Sequence, residues 1–189
     1  KVLLIEYGDF QCPGCGSAAP IIEQVAEKYK VQIGVVFRNY PLYSNHPNAF
    51  AAASVAEAAG LQGKYWEMHS KLFESQNNWK SLNGAPRTEY FAGLATEVGI
   101  DAEKFKAELD NPNIKKKIDY DFALGKKAAV SGTPALYIND KNVGEQYYLG
   151  DKLVAKETDG SAPVWSNADI FGKLVIEPAL KENGIPLPQ

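Results

Sequence analysis

Val2-Leu3-Leu4-Ile5-Glu6-Tyr7-Gly8-Asp9-Phe10-Gln11-Cys12-Pro13-Gly14-Cys15 is the stretch on which the reading of the chain turns. Val2 to Ile5 is short, apolar and β-branched at its ends, the pattern of a buried strand. Gly8 and Asp9 break it, and a helix is expected to start near Cys12 and Pro13. Ala18, Ile21, Ile22, Val25 and Tyr29 follow at helical spacing. Val31 to Phe37 alternates and reads as a second strand. Strand, helix and strand make a βαβ unit, whose crossover is expected to be right-handed.

Working outward, the texture changes after Pro41. From Pro47 to about Val130 the patterns are helical, with almost no strand character. Pro47 suits a helix N1 position and leads into the Ala-rich run Ala49 to Ala59, closed by Gly60. Tyr65, Trp66, Met68, His69, Leu72 and Phe73 mark a second helix. Tyr90, Phe91, Leu94, Ala95 and Val98 mark a third, closed by Gly99. Asp101 reads as an N-cap for the segment with Phe105 and Leu109, and Asn111-Pro112 opens one more helix through Ile118 and Leu124. Strand chemistry returns with Ala135 to Ile138. Residues 139–142 read as a turn, Val143 as the start of a return strand, and residues 150–163 as a polar loop or lid. Ser166 with Asp169 resembles a capping box for a last helix carrying Ile170, Phe171, Leu174, Val175 and Leu180, with Gly184 at C′. The expected organisation is an α/β domain over residues 1–42 and 130–189, interrupted by an all-helical insertion over 43–129.

Bulk properties narrow the function classes. The chain has 189 residues, 45% hydrophobic and 23% charged, enough for one domain with an insertion. A net charge of −3 gives no footprint for nucleic acid. Lys115-Lys116-Lys117 sits beside Asp119 and Asp121 and reads as a solvated helix face. No stretch reaches the roughly 18 apolar residues of a membrane span. The chain opens inside an apolar run with only Lys1 before it, so a further N-terminal segment is expected: a signal, a linker or a membrane anchor.

The two cysteines stand two residues apart. A ring so small restrains little of the unfolded chain, which argues against a structural staple. At the start of a helix, Cys12 falls at the N-cap and Pro13 at N1, where its missing N–H is no loss. The Cys12 sulfur then faces the free N–H groups of the first turn, Gly14 and Cys15 among them. They and the helix dipole favour the thiolate, so its pKa should fall below the ~8.5 of a free cysteine. Cys12 is thus expected to be the exposed nucleophile, and Cys15, one turn further in, the shielded resolving thiol. A zinc half-site is the competing reading of the pair. Zinc takes about four ligands, and the other soft candidates are isolated: His46 before Pro47 reads as helix-start chemistry, and His69 as a packed or half-exposed residue of an aromatic helix. No metal and no cofactor is expected. Gly132-Thr133-Pro134 ahead of a strand reads either as strand initiation or as a cis-proline loop. Glu6 shares its strand face with Val2 and Leu4, so it is expected to be a buried acid of raised pKa, able to pass protons to or from Cys15.

Taken in order, these segments resemble the DsbA-like branch of the thioredoxin superfamily. The matching residues are Glu6 to Cys15, Phe37-Arg38-Asn39-Tyr40-Pro41-Leu42, His46-Pro47-Asn48-Ala49-Phe50, Gly63-Lys64-Tyr65-Trp66-Glu67-Met68-His69 and Gly132-Thr133-Pro134. The resemblance implies a thioredoxin fold with a helical insertion and a protein disulfide oxidoreductase. Cys12 would be its nucleophile, Cys15 its resolving thiol, Pro134 its cis-proline, Thr133 the residue before it and Glu6 its buried acid, with Pro13 and Gly14 completing the motif. It implies an extracytoplasmic place in the periplasm or cell envelope, reduced or unfolded protein substrates, a membrane redox partner for recycling, and a monomer. A dithiol oxidase is the leading expectation. An isomerase or reductase is the rival within the fold, and a non-catalytic binding or chaperone-like module is the rival from another class. The best-known oxidases have histidine where this chain has Gly14, which removes a cation beside the thiolate. Residues 144–165 fall outside the stretches that carry this resemblance.

Overall fold

Alternation at the start of the chain produces β1, Val2–Gly8, which turns Val2, Leu4 and Glu6 to one buried side. The computed structural model describes residues 1–188. Helix α1, Pro13–Lys28, begins at the proline and buries Ala18, Ile22 and Val25. Strand β2, Ile33–Asn39, follows. After the helical segment come β3, Ala135–Ile138, and the two-residue β4, Lys141–Asn142. The sheet order is β2-β1-β3-β4. β1 and β3 are antiparallel, with Leu4 opposite Ile138 and Glu6 opposite Leu136. Asn139 takes φ +54° in the β3–β4 turn, a left-handed conformation that asparagine tolerates. Its backbone N–H donates to Leu3 O at 2.8 Å and its Oδ1 accepts from Leu3 N–H at 3.0 Å. The expected return strand at Val143 therefore starts two residues earlier, inside the stretch read as a turn.

Residues 150–163, read as a loop or lid, carry order of their own. β5 (Tyr147–Leu149), β6 (Lys152–Val154) and β7 (Ala162–Pro163) form a second small sheet in the order β6-β5-β7. The expected Ser166 cap is also corrected. Asn167 caps α8, Ala168–Phe171, through a bond from Ile170 N–H to its Oδ1. The last helix runs on from α8 through a π-helical stretch, Gly172–Ile176, into α9, Glu177–Glu182. Gly172 lies against Tyr29, where a Cβ would stand 2.5 Å from the phenol oxygen. That oxygen donates to Glu177 Oε1 at 3.0 Å. Leu4, Ile22, Val25, Leu136, Phe171 and Leu180 belong to one apolar cluster.

The helical segment comprises α2 (Ala49–Leu61), α3 (Tyr65–Glu74), α4 (Gln76–Trp79), α5 (Gly84–Glu97), α6 (Ala102–Leu109) and α7 (Pro112–Lys127). Alanines on nearly all sides of α2 allow α3, α6 and α7 to pack closely around it. Trp79 is fully buried, donates its indole N–H to Leu72 O at 2.8 Å and meets Phe91 edge-on at 5.5 Å. Asp101 caps α6 as expected, accepting from Lys104 N–H at 2.8 Å. Of the lysine run, Lys115 reaches Asp119 at 2.5 Å, while Lys117 pairs with the fully buried Asp121.

The chain divides into two compact units. One holds residues 1–7, 17–38 and 134–189; the other holds residues 8–16 and 39–133. The sequence-based division differs chiefly at residues 8–16, the cysteine loop, which belongs with the helices.

Candidate active site

Backbone geometry at the end of β1 sets the site. Cys12 N–H donates to Asp9 O at 3.0 Å, and Gly16 N–H closes the first turn of α1 on Cys12 O at 3.1 Å. Cys12 is therefore the residue at the mouth of the helix, with the N–H groups of Gly14 and Cys15 near its sulfur. Both cysteines are free thiols. The Cys12 thiol is drawn down from 9.0 to about 5. The hydrogen bond from the Cys15 side chain is the largest cause. Burial opposes it, and the Thr133 side chain and the N–H groups of Cys15 and Gly14 add to it.

Cys12 was expected to be exposed; it is 7% exposed, and Cys15 is fully buried. The sulfur of Cys12 is covered in part by the loop before Pro134, where it donates to Thr133 O at 3.3 Å. Thr133 Oγ1 is buried and makes no hydrogen bond to the thiol form. The hydroxyl can therefore turn its proton to the thiolate. Thr133 thus presents an acceptor to one protonation state of Cys12 and a donor to the other. Cys15 Sγ accepts from Asp9 N–H at 3.4 Å.

Groups from residues 39–133 hold this loop, and sequence reasoning gave none of them that role. Gln76 Nε2 donates to Phe10 O at 2.8 Å and to Cys12 O at 2.9 Å. Gln11 accepts from Asn48 N–H at 2.6 Å and donates to Lys80 O at 2.8 Å. Asn48 Nδ2 in turn donates to Lys80 O at 3.0 Å and to Leu82 O at 2.8 Å. Asp9, 2% exposed, accepts from Gln11 N–H at 2.7 Å and from Leu42 N–H at 2.8 Å. Its Oδ2 also lies 2.8 Å from His46 Nδ1. His46, read as helix-start chemistry, thus reaches back to the cysteine loop. His69 is 3% exposed, inside a ring of Phe10, Tyr65, Trp66 and Phe73. Burial drives its pKa down to about 3, so it is a neutral imidazole at physiological pH.

Of the residues singled out from sequence, Cys12, Cys15 and Thr133 meet at the mouth of α1. Pro13 opens that helix, Gly14 lies in its first turn, and Pro134 follows Thr133 into β3. Glu6 is in the sheet unit, 2% exposed on β1.

Comparison with known proteins places this arrangement. A family model described as Thioredoxin matches residues 1–150. Among curated proteins, the Na(+)/H(+) antiporter NhaA 1 of Salinispora arenicola is 36% identical over 148 residues, which is 78% of this chain and 22% of that protein. NhaA 1 of Mycolicibacterium vanbaalenii is 34% identical over 140 residues, 73% of this chain and 22% of that protein. The chain thus spans about a fifth of the length of these relatives. Among solved structures, oxidised BdbD from Bacillus subtilis superposes with a TM-score of 0.70 at 24% identity, covering 95% of this chain and 88% of that one. Wolbachia pipientis α-DsbA1 gives 0.69 at 20% identity, with 97% and 88% covered. A thioredoxin-like oxidoreductase from Silicibacter pomeroyi gives 0.65 at 22% identity, with 97% and 87% covered. The fold is the thioredoxin fold with a helical insertion, as in the DsbA-like proteins.

Proposed function

Since the chain belongs to the thioredoxin family, we propose that it is a protein disulfide oxidoreductase working as a dithiol oxidase, with Cys12 and Cys15 as its redox pair. The observation that carries this reading is the placing of Cys12 at the mouth of α1, three residues from Cys15 and with its sulfur 3.3 Å from Thr133 O; the donors gathered there lower its thiol pKa to about 5. A stabilised thiolate favours the reduced form, and by linkage that makes the disulfide the stronger oxidant.

The chemistry runs by exchange. A substrate thiolate attacks Cys12 Sγ of the Cys12–Cys15 disulfide; the S–S bond breaks, and Cys15 leaves as a thiolate that takes up a proton. A second substrate thiolate attacks the substrate sulfur of the mixed disulfide and expels Cys12. Expulsion is fast because a low-pKa thiolate is a good leaving group. The substrate gains a disulfide, and the protein holds two thiols. Glu6, an acid buried on β1, is assigned to proton transfer with Cys15. Thr133, whose carbonyl lies beside the Cys12 sulfur, and Pro134 after it are assigned to pairing with an extended substrate backbone. Reduced or unfolded proteins outside the cytoplasm are the substrates, and a membrane redox partner reoxidises the pair. No helix among the described residues is long and apolar enough to cross a membrane.

Equilibration with glutathione buffers of known ratio tests the direction. We expect a potential above thioredoxin's roughly −270 mV and short of the strongest oxidases near −120 mV, because Gly14 supplies no cation. A value at or below thioredoxin's assigns the protein to reduction instead. The Glu6→Gln variant should slow exchange at neutral pH while leaving stability little changed; equal rates would remove Glu6 from the mechanism.

A second setting for the same chemistry comes from the curated relatives, in which the matched segment is about a fifth of a chain named as an antiporter. There the substrate thiols would belong to a membrane cation transporter. Trapping of such a protein by a Cys15→Ser variant, as a mixed disulfide, is the test.

A further inference from the structure

We infer that Gln76 is a positioning residue, whose side-chain amide fixes the backbone of Cys12 and so aims its sulfur at the donors of the first helical turn. The inference rests on the thiol–disulfide reading above and adds a residue to it. Gln76 stands in α4, 64 residues from Cys12, and is 7% exposed. Both hydrogens of its one amide nitrogen are used on the loop, for the carbonyls of Phe10 and Cys12. The Cys12 carbonyl also accepts from Gly16 N–H, so both of its lone pairs are engaged. A carbonyl held from two sides fixes the peptide plane after Cys12, and with it the angle at which the residue enters the helix. The groups ahead of α2 act elsewhere: the Asn48 backbone N–H donates to Gln11 Oε1, and His46 Nδ1 pairs with Asp9.

A second observation on the same contact concerns Gly16. A Cβ at Gly16 would stand 3.0 Å from Gln76 Oε1 and 3.2 Å from Nε2. Glycine inside a helix is less favourable than alanine. Here its bare backbone is the seat of the amide. The amide thus holds the donors where the charge on Cys12 develops.

Two single variants approach the contact from opposite sides. Gln76→Met keeps length and volume and loses the N–H groups; Gly16→Ala keeps the amide and displaces it. In both, we expect the alkylation profile of Cys12 to move up by about one pH unit, a tenfold loss of thiolate stabilisation. The glutathione equilibrium should move about tenfold toward the protein disulfide, equivalent to about 30 mV. Combined with Gln76→Ala, which empties the seat, Gly16→Ala should add nothing. Melting of both redox forms gives the control: a positioning role destabilises the reduced form more than the oxidised one. Folded Gln76→Met with a wild-type alkylation profile overturns the inference. So does an equal loss of stability in both forms. Should Gln76→Met fail to fold, Gly16→Ala decides by the same readings. If the wild-type protein does not exchange with glutathione at all, the proposed function fails, while the alkylation profiles still decide the role of Gln76.

Discussion

At the scale of single residues, the sign of the Cys12 effect can be worked through. Its folded-state pKa lies below that of an unfolded thiol, so the stability it gives the reduced protein is complete above about pH 8.5 and is lost as pH falls through about 5. At pH 7 this amounts to about 2–3 kcal/mol. The melting temperature of the reduced form, relative to the oxidised form, should therefore climb from pH 5 to pH 8; a gap independent of pH would contradict the assignment. His69 acts with the opposite charge. Its folded pKa is about 3 against 6.5 unfolded, so stability is complete above pH 6.5 and declines below it, by about 2 kcal/mol at pH 5. His69→Phe in its aromatic surroundings should flatten the acid limb of stability measured by urea titration. The direction of the Cys12 shift was readable in part, because Gly14 and Cys15 stand within three residues of it, while the share from Thr133 comes from 121 residues away. The clamps by Gln76, Asn48 and His46 were not, since hydrogen bonds across 37 to 66 residues leave no periodic trace.

At the scale of elements, what repeated was readable and what was short was not. α2, α3, α7 and β1 stand where apolar spacing put them, within a few residues. α4 has four residues, fewer than the pattern needs to repeat, and α5 begins at Gly84, six residues before its apolar face starts at Tyr90. The β5–β7 strands are two or three residues each and half-buried or exposed, so no alternation develops. The close approach of Tyr29 to Gly172 cannot be read from the helix itself. Packing and capping carry different weights at this scale. Trp79→Ala removes a fully buried ring and its indole bond and should cost about 3–5 kcal/mol in chemical denaturation. Asp101→Ala removes one cap from the exposed α6 and should cost about 1 kcal/mol.

At the scale of the molecule, the cysteine loop belongs to the helical unit, although β1 leads directly into it. The amides of residues 8–16 should therefore exchange with solvent in step with α2 and α3; exchange in step with β1 and β3 would count against that membership. The same division has a consequence for the order in which a ribosome delivers the chain. The antiparallel partner of β1, β3, is made more than 120 residues after it, so this pairing has to wait on a long-range closure. The helical unit needs nothing beyond residue 133. During synthesis the thiols of Cys12 and Cys15 can thus be seated among their helical neighbours while the apolar run from Val2 to Ile5 still lacks its partner strand. In pulse-labelled refolding, protection should reach α2 and α3 before it reaches β1, and until β3 arrives that first strand is the surface a chaperone has to shield.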